Sequence, residues 1–287
     1  MDLLPHDLCA AALQAAEDWN VTLGVPLSGG TQGAVFAATS CEGEDVVVKA
    51  GPAAQIELER WWLLAARGFT VELLADLQPA GHEGIHVLLL ERAGTVQPWR
   101  ADPARLRATA LRVLETAQGC DSSLLMLRRF PAAASMVDLR RGWVHAPVDA
   151  RRCPTLGLDA QRWAAHVDEL ASTASEASSG SALLHGDVQA KNLVRHGTTW
   201  ALIDPMPSVG AVEFDLALLA VTGSGPWPVH EAVGAVRALP GVDPDRLDTL
   251  VRFVALAEAV NGGEHGQPAR LHSFLDELGL LRQIRAR

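Results

Sequence analysis

The chain has 287 residues, 48% of them hydrophobic and 20% charged, enough apolar material to bury the core of one large domain or of two lobes. A net charge of −10 disfavours nucleic acid and other polyanions as partners. Acidic Asp2 and Asp7 make a signal peptide unexpected, and no apolar run reaches the ~20 residues that span a bilayer, so a cytoplasmic protein without membrane contact is expected.

Residues 6–19 read as a short helix. Beyond them 25–28, 34–39 and 45–49 read as strands joined by glycine-bearing turns. Residues 53–67 read as a helix, because Ile56, Trp62, Leu63 and Ala66 recur at helical spacing, with Gly68 as its C-cap. Stretches 71–77 and 85–91 complete a five-stranded sheet with one helix inserted after its third strand. Helices follow at 103–117, N-capped by Asp102, and at 161–177. The segment 119–158 between them, with Pro131, Pro147 and Pro154, reads as irregular. Two short apolar stretches, 182–184 and 200–203, flank a polar loop. Helices return at 214–221, 230–238, 244–260 and 269–281. The expectation is an α+β, bilobal chain: a nucleotide-binding lobe over 1–92 and a larger helical lobe over 93–287 that carries the catalytic loop and the acceptor site.

Cys9, Cys41, Cys120 and Cys153 are scattered without a CxxC pair and read as reduced thiols. Lysine is rare: Lys49 and Lys191 are the only two, and the other 22 basic residues are arginine. Each lysine therefore draws attention. Lys49 closes the apolar strand Val46-Val47-Val48, fourteen residues beyond Val35. An ammonium there suits the α- and β-phosphates of ATP. It needs a fixed carboxylate to hold it, and Glu57, one or two turns into the next helix, is preferred to Glu59. Upstream, Ser28-Gly29-Gly30-Thr31-Gln32-Gly33 lies between two strands, where glycine lets backbone N–H groups approach phosphate oxygens. It is no Walker A loop, since no Gly-Lys-Ser/Thr follows and it leads into a strand.

The polar loop holds His185-Gly186-Asp187, followed by Lys191-Asn192 and, after the strand Trp200-Ala201-Leu202-Ile203, by Asp204. Phosphoryl transfer to a hydroxyl needs a carboxylate that orients the hydroxyl and takes its proton, a task suited to Asp187. It also needs hard oxygen ligands for Mg²⁺, which Asn192 and Asp204 supply. Lys191 is a weaker candidate for the γ-phosphate.

Together these residues resemble the kinase fold, and within it the aminoglycoside phosphotransferase family. His185-Gly186-Asp187 stands where protein kinases carry His-Arg-Asp, and Ile203-Asp204-Pro205 where they carry Asp-Phe-Gly. Leu88-Leu89-Leu90-Glu91-Arg92-Ala93-Gly94 resembles the family's hinge, which implies that backbone groups around Glu91 and Ala93 read adenine, with ATP between the lobes. Ser28, Gly30, Thr31, Gly33, Lys49 and Glu57 would serve its phosphates. Ile203-Asp204-Pro205 with Val209-Gly210 and Glu213-Phe214-Asp215 is most similar to the streptomycin 6-phosphotransferase and hydroxyurea phosphotransferase branch, with tuberactinomycin (viomycin, capreomycin) phosphotransferases as neighbours. Asp215 would brace the catalytic loop. Gln189 departs from the family, which often has histidine there.

Only eleven positions separate Asp204 from Asp215, too few for a peptide-binding activation segment. The resemblance therefore implies a small acceptor, an antibiotic with a hydroxyl and cationic groups, facing Glu258, Asn261 and Glu264 in the last helices. A metabolic kinase for choline, a sugar or an amino alcohol is the alternative. A nucleotide-binding pseudokinase is a third reading, opposed by the presence of Lys49, Asp187, Asn192 and Asp204.

Overall fold

The computed structural model describes residues 5–27, 33–66, 68–94, 102–119, 127–145, 160–223, 227–261 and 268–282. The chain packs into two compact units, residues 1–97 with 193–206 and residues 98–192 with 207–287.

The first unit is built on an antiparallel sheet of five strands, β1 Thr22–Pro26, β2 Ala34–Thr39, β3 Asp45–Pro52, β4 Leu73–Leu77 and β5 Ile85–Glu91, in the order β1-β2-β3-β5-β4. Alternation decides which side chains lie on which face. Val46, Val48 and Ala50 of β3 join Ile85, Val87 and Leu89 of β5 in one cluster. Helix α1, Pro5–Asp18, closes that face with Leu8 and with Ala11, Ala12 and Ala15, three small residues at helical spacing that let helix and sheet approach closely. Lys49 has the opposite parity and belongs to the other face, next to helix α2, Ala53–Ala65. The helix buries Ile56, Glu59, Trp62 and Leu63, one stripe that contains a carboxylate.

A hairpin from later in the chain, β7 Leu193–His196 and β8 Thr199–Leu202, completes this unit. Leu202 N–H donates to Phe69 O at 2.9 Å, and Thr70 Oγ1 donates to Leu202 O at 3.1 Å. These two bonds fix the end of β8, from which Asp204 projects.

The second unit is helical. Its elements are α3 Pro103–Gly119, α4 Ala133–His145, α5 Ala160–Ala177, α6 Glu213–Gly223, α7 Val229–Arg237, α8 Pro244–Asn261 and α9 Pro268–Glu277, with a small ladder of β6 Ala182–Leu184 and β9 Ser208–Gly210. Asp102 caps α3 as expected, its Oδ1 accepting from Arg105 N at 2.8 Å. Helix α6 is buried nearly throughout, so it reads as an apolar run without a clean period.

One expectation is corrected. Residues 119–158 are not irregular throughout, because α4 occupies Ala133–His145. Its buried positions Ala133, Met136, Val137 and Arg140 follow the i, i+3, i+4, i+7 pattern of a core-facing helix. Pro131 lies just ahead of the helix, where a proline bounds a helix without breaking it, and Pro147 and Pro154 lie outside the described residues. Among the described residues, no helix is long and apolar enough to cross a membrane.

Candidate active site

Each unit carries its own part of the predicted machinery. In the first, Lys49 is 7% exposed and its Nζ donates to both oxygens of Glu59, at 2.9 and 2.6 Å. It also donates to Asp204 Oδ1 at 2.7 Å. Burial alone would depress the ammonium, but the charges of Glu59 and Asp204 outweigh it and raise Lys49 above its ordinary value. Burial pushes the Glu59 carboxyl up and Lys49 pulls it back, and the two short contacts keep the couple an ion pair. The lysine is thus charged, held in one direction, and suited to phosphate oxygens.

Its partner is not the expected one. Glu57 is exposed and accepts only a long bond from Trp61 Nε1, 3.4 Å, whereas Glu59 is buried. The helical phase explains this: Glu59 lies three residues after Ile56 and three before Trp62, on the stripe that faces the sheet.

Asp204 adopts a left-handed backbone, φ 57°, a conformation rare outside glycine that recurs at functional sites. Gly33 is described, and a Cβ there would come within 2.8 Å of Ala50 O, so this position must be glycine for β3 to run past it. Ser28, Gly30 and Thr31 lie outside the described residues. At the end of β5, Glu91 N–H donates to Glu72 O at 2.9 Å, which leaves the N–H of half-buried Ala93 as the better candidate for a base-reading donor. The Glu91 side chain is engaged too: it accepts from Glu72 N and pairs with His196 Nε2 at 2.9 Å.

In the second unit the loop after β6 is built around Asp187. Asp215, at the start of α6, accepts His185 N–H at 2.7 Å and Gly186 N–H at 2.8 Å, so it braces the loop backbone. Gly186 has φ 76°, which explains glycine inside the motif. The Asp187 N–H donates to His185 Nδ1 at 3.2 Å, fixing that tautomer as the one with Nδ1 unprotonated. The Asp187 carboxylate receives Gln189 Nε2 at 2.6 Å and Arg140 Nη2 at 3.3 Å on Oδ1. On Oδ2 it receives Asn192 Nδ2 at 2.8 Å and lies 3.3 Å from Lys191 Nζ. Gln189, the departure from the family pattern, is therefore a working neighbour of Asp187.

Asn192 Nδ2 also donates to Asp187 O at 2.9 Å, which turns the amide so that Oδ1 is the atom it can offer a cation. The carboxylate of Asp204, 40% exposed, offers the same hard oxygen chemistry. Both residues fit a Mg²⁺ ligand role. Among the described residues no three His, Cys, Asp or Glu side chains gather as a metal cluster, and a Mg²⁺ shared with substrate phosphates needs none.

One acceptor-side expectation changes, and the other side chains lie outside what is described. Glu258 is 5% exposed, and its Oε1 pairs with Arg140 Nε at 3.5 Å, so it does not present a carboxylate to solvent. Glu264 lies outside the described residues, and Asn261 is described only as the last residue of α8. Arg140 itself was missed, hidden in the segment read as irregular.

The family model of the phosphotransferase enzyme family (APH) matches residues 24–250. The chain belongs to this family. It is a kinase-type phosphotransferase with the kinase-like fold. No curated protein sequence matches it. Among solved structures it is similar to a thermostable mutant of the aminoglycoside phosphotransferase APH(4)-Ia in a ternary complex with ADP and hygromycin B. That likeness has a TM-score of 0.61 at 15% identity, covering 95% of this chain and 98% of that one. A GDP and kanamycin complex of APH(2")-IIia gives a TM-score of 0.59 at 16% identity, covering 96% of this chain and 97% of that one. A putative fructosamine-3-kinase from Thermobifida fusca gives 0.57 at 14% identity, covering 96% and 98%.

Asp215 carries a testable consequence for this phosphotransferase. Burial pushes its carboxyl from an ordinary 3.8 up to about 7, against the pull of the two backbone N–H donors and Arg140. Between those values the native chain holds a proton that the unfolded chain has released. This group therefore favours folding most at the acid end of the window and progressively less as the pH rises toward 7. Asp215→Asn removes that slope and sets an amide N–H against one backbone donor, at a cost of about 2 kcal/mol. Urea unfolding at about pH 5 and about pH 8 should give lower midpoints for the variant and a smaller difference between the two pH values than in wild type.

Proposed function

We propose that the protein is an ATP-dependent O-phosphotransferase. It modifies a hydroxyl of a small, cationic antibiotic, an aminoglycoside such as streptomycin or a tuberactinomycin peptide such as capreomycin or viomycin, and so confers resistance. The observation that carries this is Asp187, a buried carboxylate on a loop whose backbone is clamped by Asp215, in a chain of the phosphotransferase family.

The first unit would serve the nucleotide: Lys49, held by Glu59, would take the α- and β-phosphates, the glycine-bearing loop over 28–33, described only at Gly33, would supply backbone N–H groups to them, and the backbone at Glu91 and Ala93 would read the base. Asn192 and Asp204 are the residues that would hold Mg²⁺, which would neutralise charge on the phosphates. The second unit serves the acceptor. Asp187 accepts the hydroxyl's hydrogen bond and aims a lone pair of its oxygen at the γ-phosphorus. The new O–P bond forms as the bridging β,γ O–P bond breaks. ADP leaves with the bond's electron pair, and Asp187 receives the hydroxyl proton. Positioning and electrostatics supply most of the rate.

Three observations support a cationic antibiotic. The chain carries a net charge of −10. Two similar structures are complexes with hygromycin B and kanamycin. After Asp204 the chain passes directly into β9 and α6, with no activation segment of a length to bind a protein substrate. A cytoplasmic location, where ATP is at hand, is part of the same proposal.

The second reading, a metabolic kinase for choline, a sugar or an amino alcohol, is favoured by the similarity to the putative fructosamine-3-kinase. Expression in a susceptible bacterium decides between them. The proposal predicts raised tolerance of an aminoglycoside or tuberactinomycin with the wild-type chain and none with Asp187→Asn; unchanged tolerance of every such compound counts against it.

A further inference from the structure

Arg140 is 0% exposed and lies on the apolar stripe of α4, among the least favourable places for a guanidinium. Its Nη2 donates to Gly186 O at 3.2 Å and to Asp187 Oδ1 at 3.3 Å. Its Nε faces Glu258 Oε1 of α8 at 3.5 Å, and its plane lies over the Phe214 ring, 5.3 Å from the centroid. Three helices thus converge on one buried cation that grips the catalytic loop at two consecutive residues. Burial pushes the Glu258 carboxyl up, and Arg140 pulls it back.

A structural salt bridge alone would not need this arrangement. Apolar residues of similar volume often serve a core as well or better. Arg140, moreover, reaches both the backbone before Asp187 and the carboxylate oxygen itself. We infer that Arg140 is a positioning residue for phosphoryl transfer: with Glu258 behind it, it locks the rotamer of Asp187 so that one carboxylate direction meets the acceptor hydroxyl. The inference rests on the role proposed above for Asp187. Gln189, Asn192 and Lys191, the other close donors to that carboxylate, come from the same loop as Asp187 and move with it. Arg140 ties the carboxylate to the helical core.

The test separates positioning from folding. Arg140→Met leaves Glu258 without its cation and lowers Tm, whereas Arg140→Met/Glu258→Gln removes the orphaned charge and recovers much of that Tm. Turnover is read as ADP release from MgATP in a coupled assay, with streptomycin present and with water as the sole acceptor. Both variants should lose about 100-fold in kcat, the scale of a misplaced reacting group, with KM for ATP unchanged. Arg140→Lys, which keeps the charge and the fold, should fall between them and wild type. Recovery of kcat together with Tm in the double variant, or wild-type kcat in Arg140→Met, overturns the inference while leaving Asp187 in its role. No ADP release by the wild-type protein, or undiminished release by Asp187→Asn, overturns both.

Discussion

Asp187→Asn should lower kcat by about 1,000-fold, within the range attributed to a general base. Asparagine has the same shape but cannot take the hydroxyl proton. Its amide N–H also opposes the donors that now converge on the carboxylate, Gln189 Nε2 at 2.6 Å and Asn192 Nδ2 at 2.8 Å. Nucleotide affinity should change little, because Lys49, Glu59 and Asp204 belong to the other unit. Steady-state kinetics and calorimetric titration with ATP together make the check. A parallel loss of affinity and kcat would assign Asp187 to nucleotide binding instead.

The second large effect concerns the lysine clamp. Glu59→Gln removes a carboxylate that is 2% exposed and sits 2.6 Å from Lys49 Nζ. Breaking a buried pair from one side costs about 3 kcal/mol or more. Lys49 then keeps only Asp204, a residue the proposal needs for the metal. The variant should unfold at lower temperature, and KM for ATP should rise about tenfold, the equivalent of about 1.4 kcal/mol of lost phosphate binding. Glu57→Gln, at an exposed position, should stay within about 0.5 kcal/mol of wild type with unchanged KM. Thermal unfolding and ATP kinetics on the two variants side by side discriminate sharply, since the residues are two apart on one helix. Equal effects would contradict the assignment of Glu59.

Much of this was legible before any coordinates. Strand periods, the glycine before β2 and the apolar stretch Val46–Val48 define the five-stranded sheet, because alternation is a local property of the chain, although β3 runs on past Lys49 to Pro52. The candidate loop was legible because His185, Asp187, Asn192 and Asp204 stand at spacings that an accidental loop rarely reproduces, and Asp215, read as its brace, accepts the N–H groups of His185 and Gly186. What failed did so for definable reasons. Glu57 was preferred to Glu59 although the periodic residues Ile56, Trp62 and Leu63 had already marked the buried stripe. Glu59 lies on that stripe and Glu57 does not. Arg140 escaped because a charged residue in a Pro- and Arg-rich segment looks solvated, and only Ala133, Met136 and Val137 reveal the stripe it shares. Glu258 was taken for an acceptor contact because its position near the end of a late helix says nothing of the cation across from it. Each error arose where a tertiary partner, distant in sequence, decides the burial of a charge.

The most direct test of the central claim, phosphoryl transfer to a small hydroxyl-bearing antibiotic, is incubation of the protein with γ-labelled ATP, Mg²⁺ and a panel of acceptors. The panel would hold streptomycin, hygromycin B, kanamycin, capreomycin and viomycin alongside choline, sugars and amino alcohols. The account predicts label on an antibiotic, in an acid-stable phosphate ester, with wild-type protein and its near absence with Asp187→Asn. Label on a metabolite alone, or on no compound at all, would contradict it.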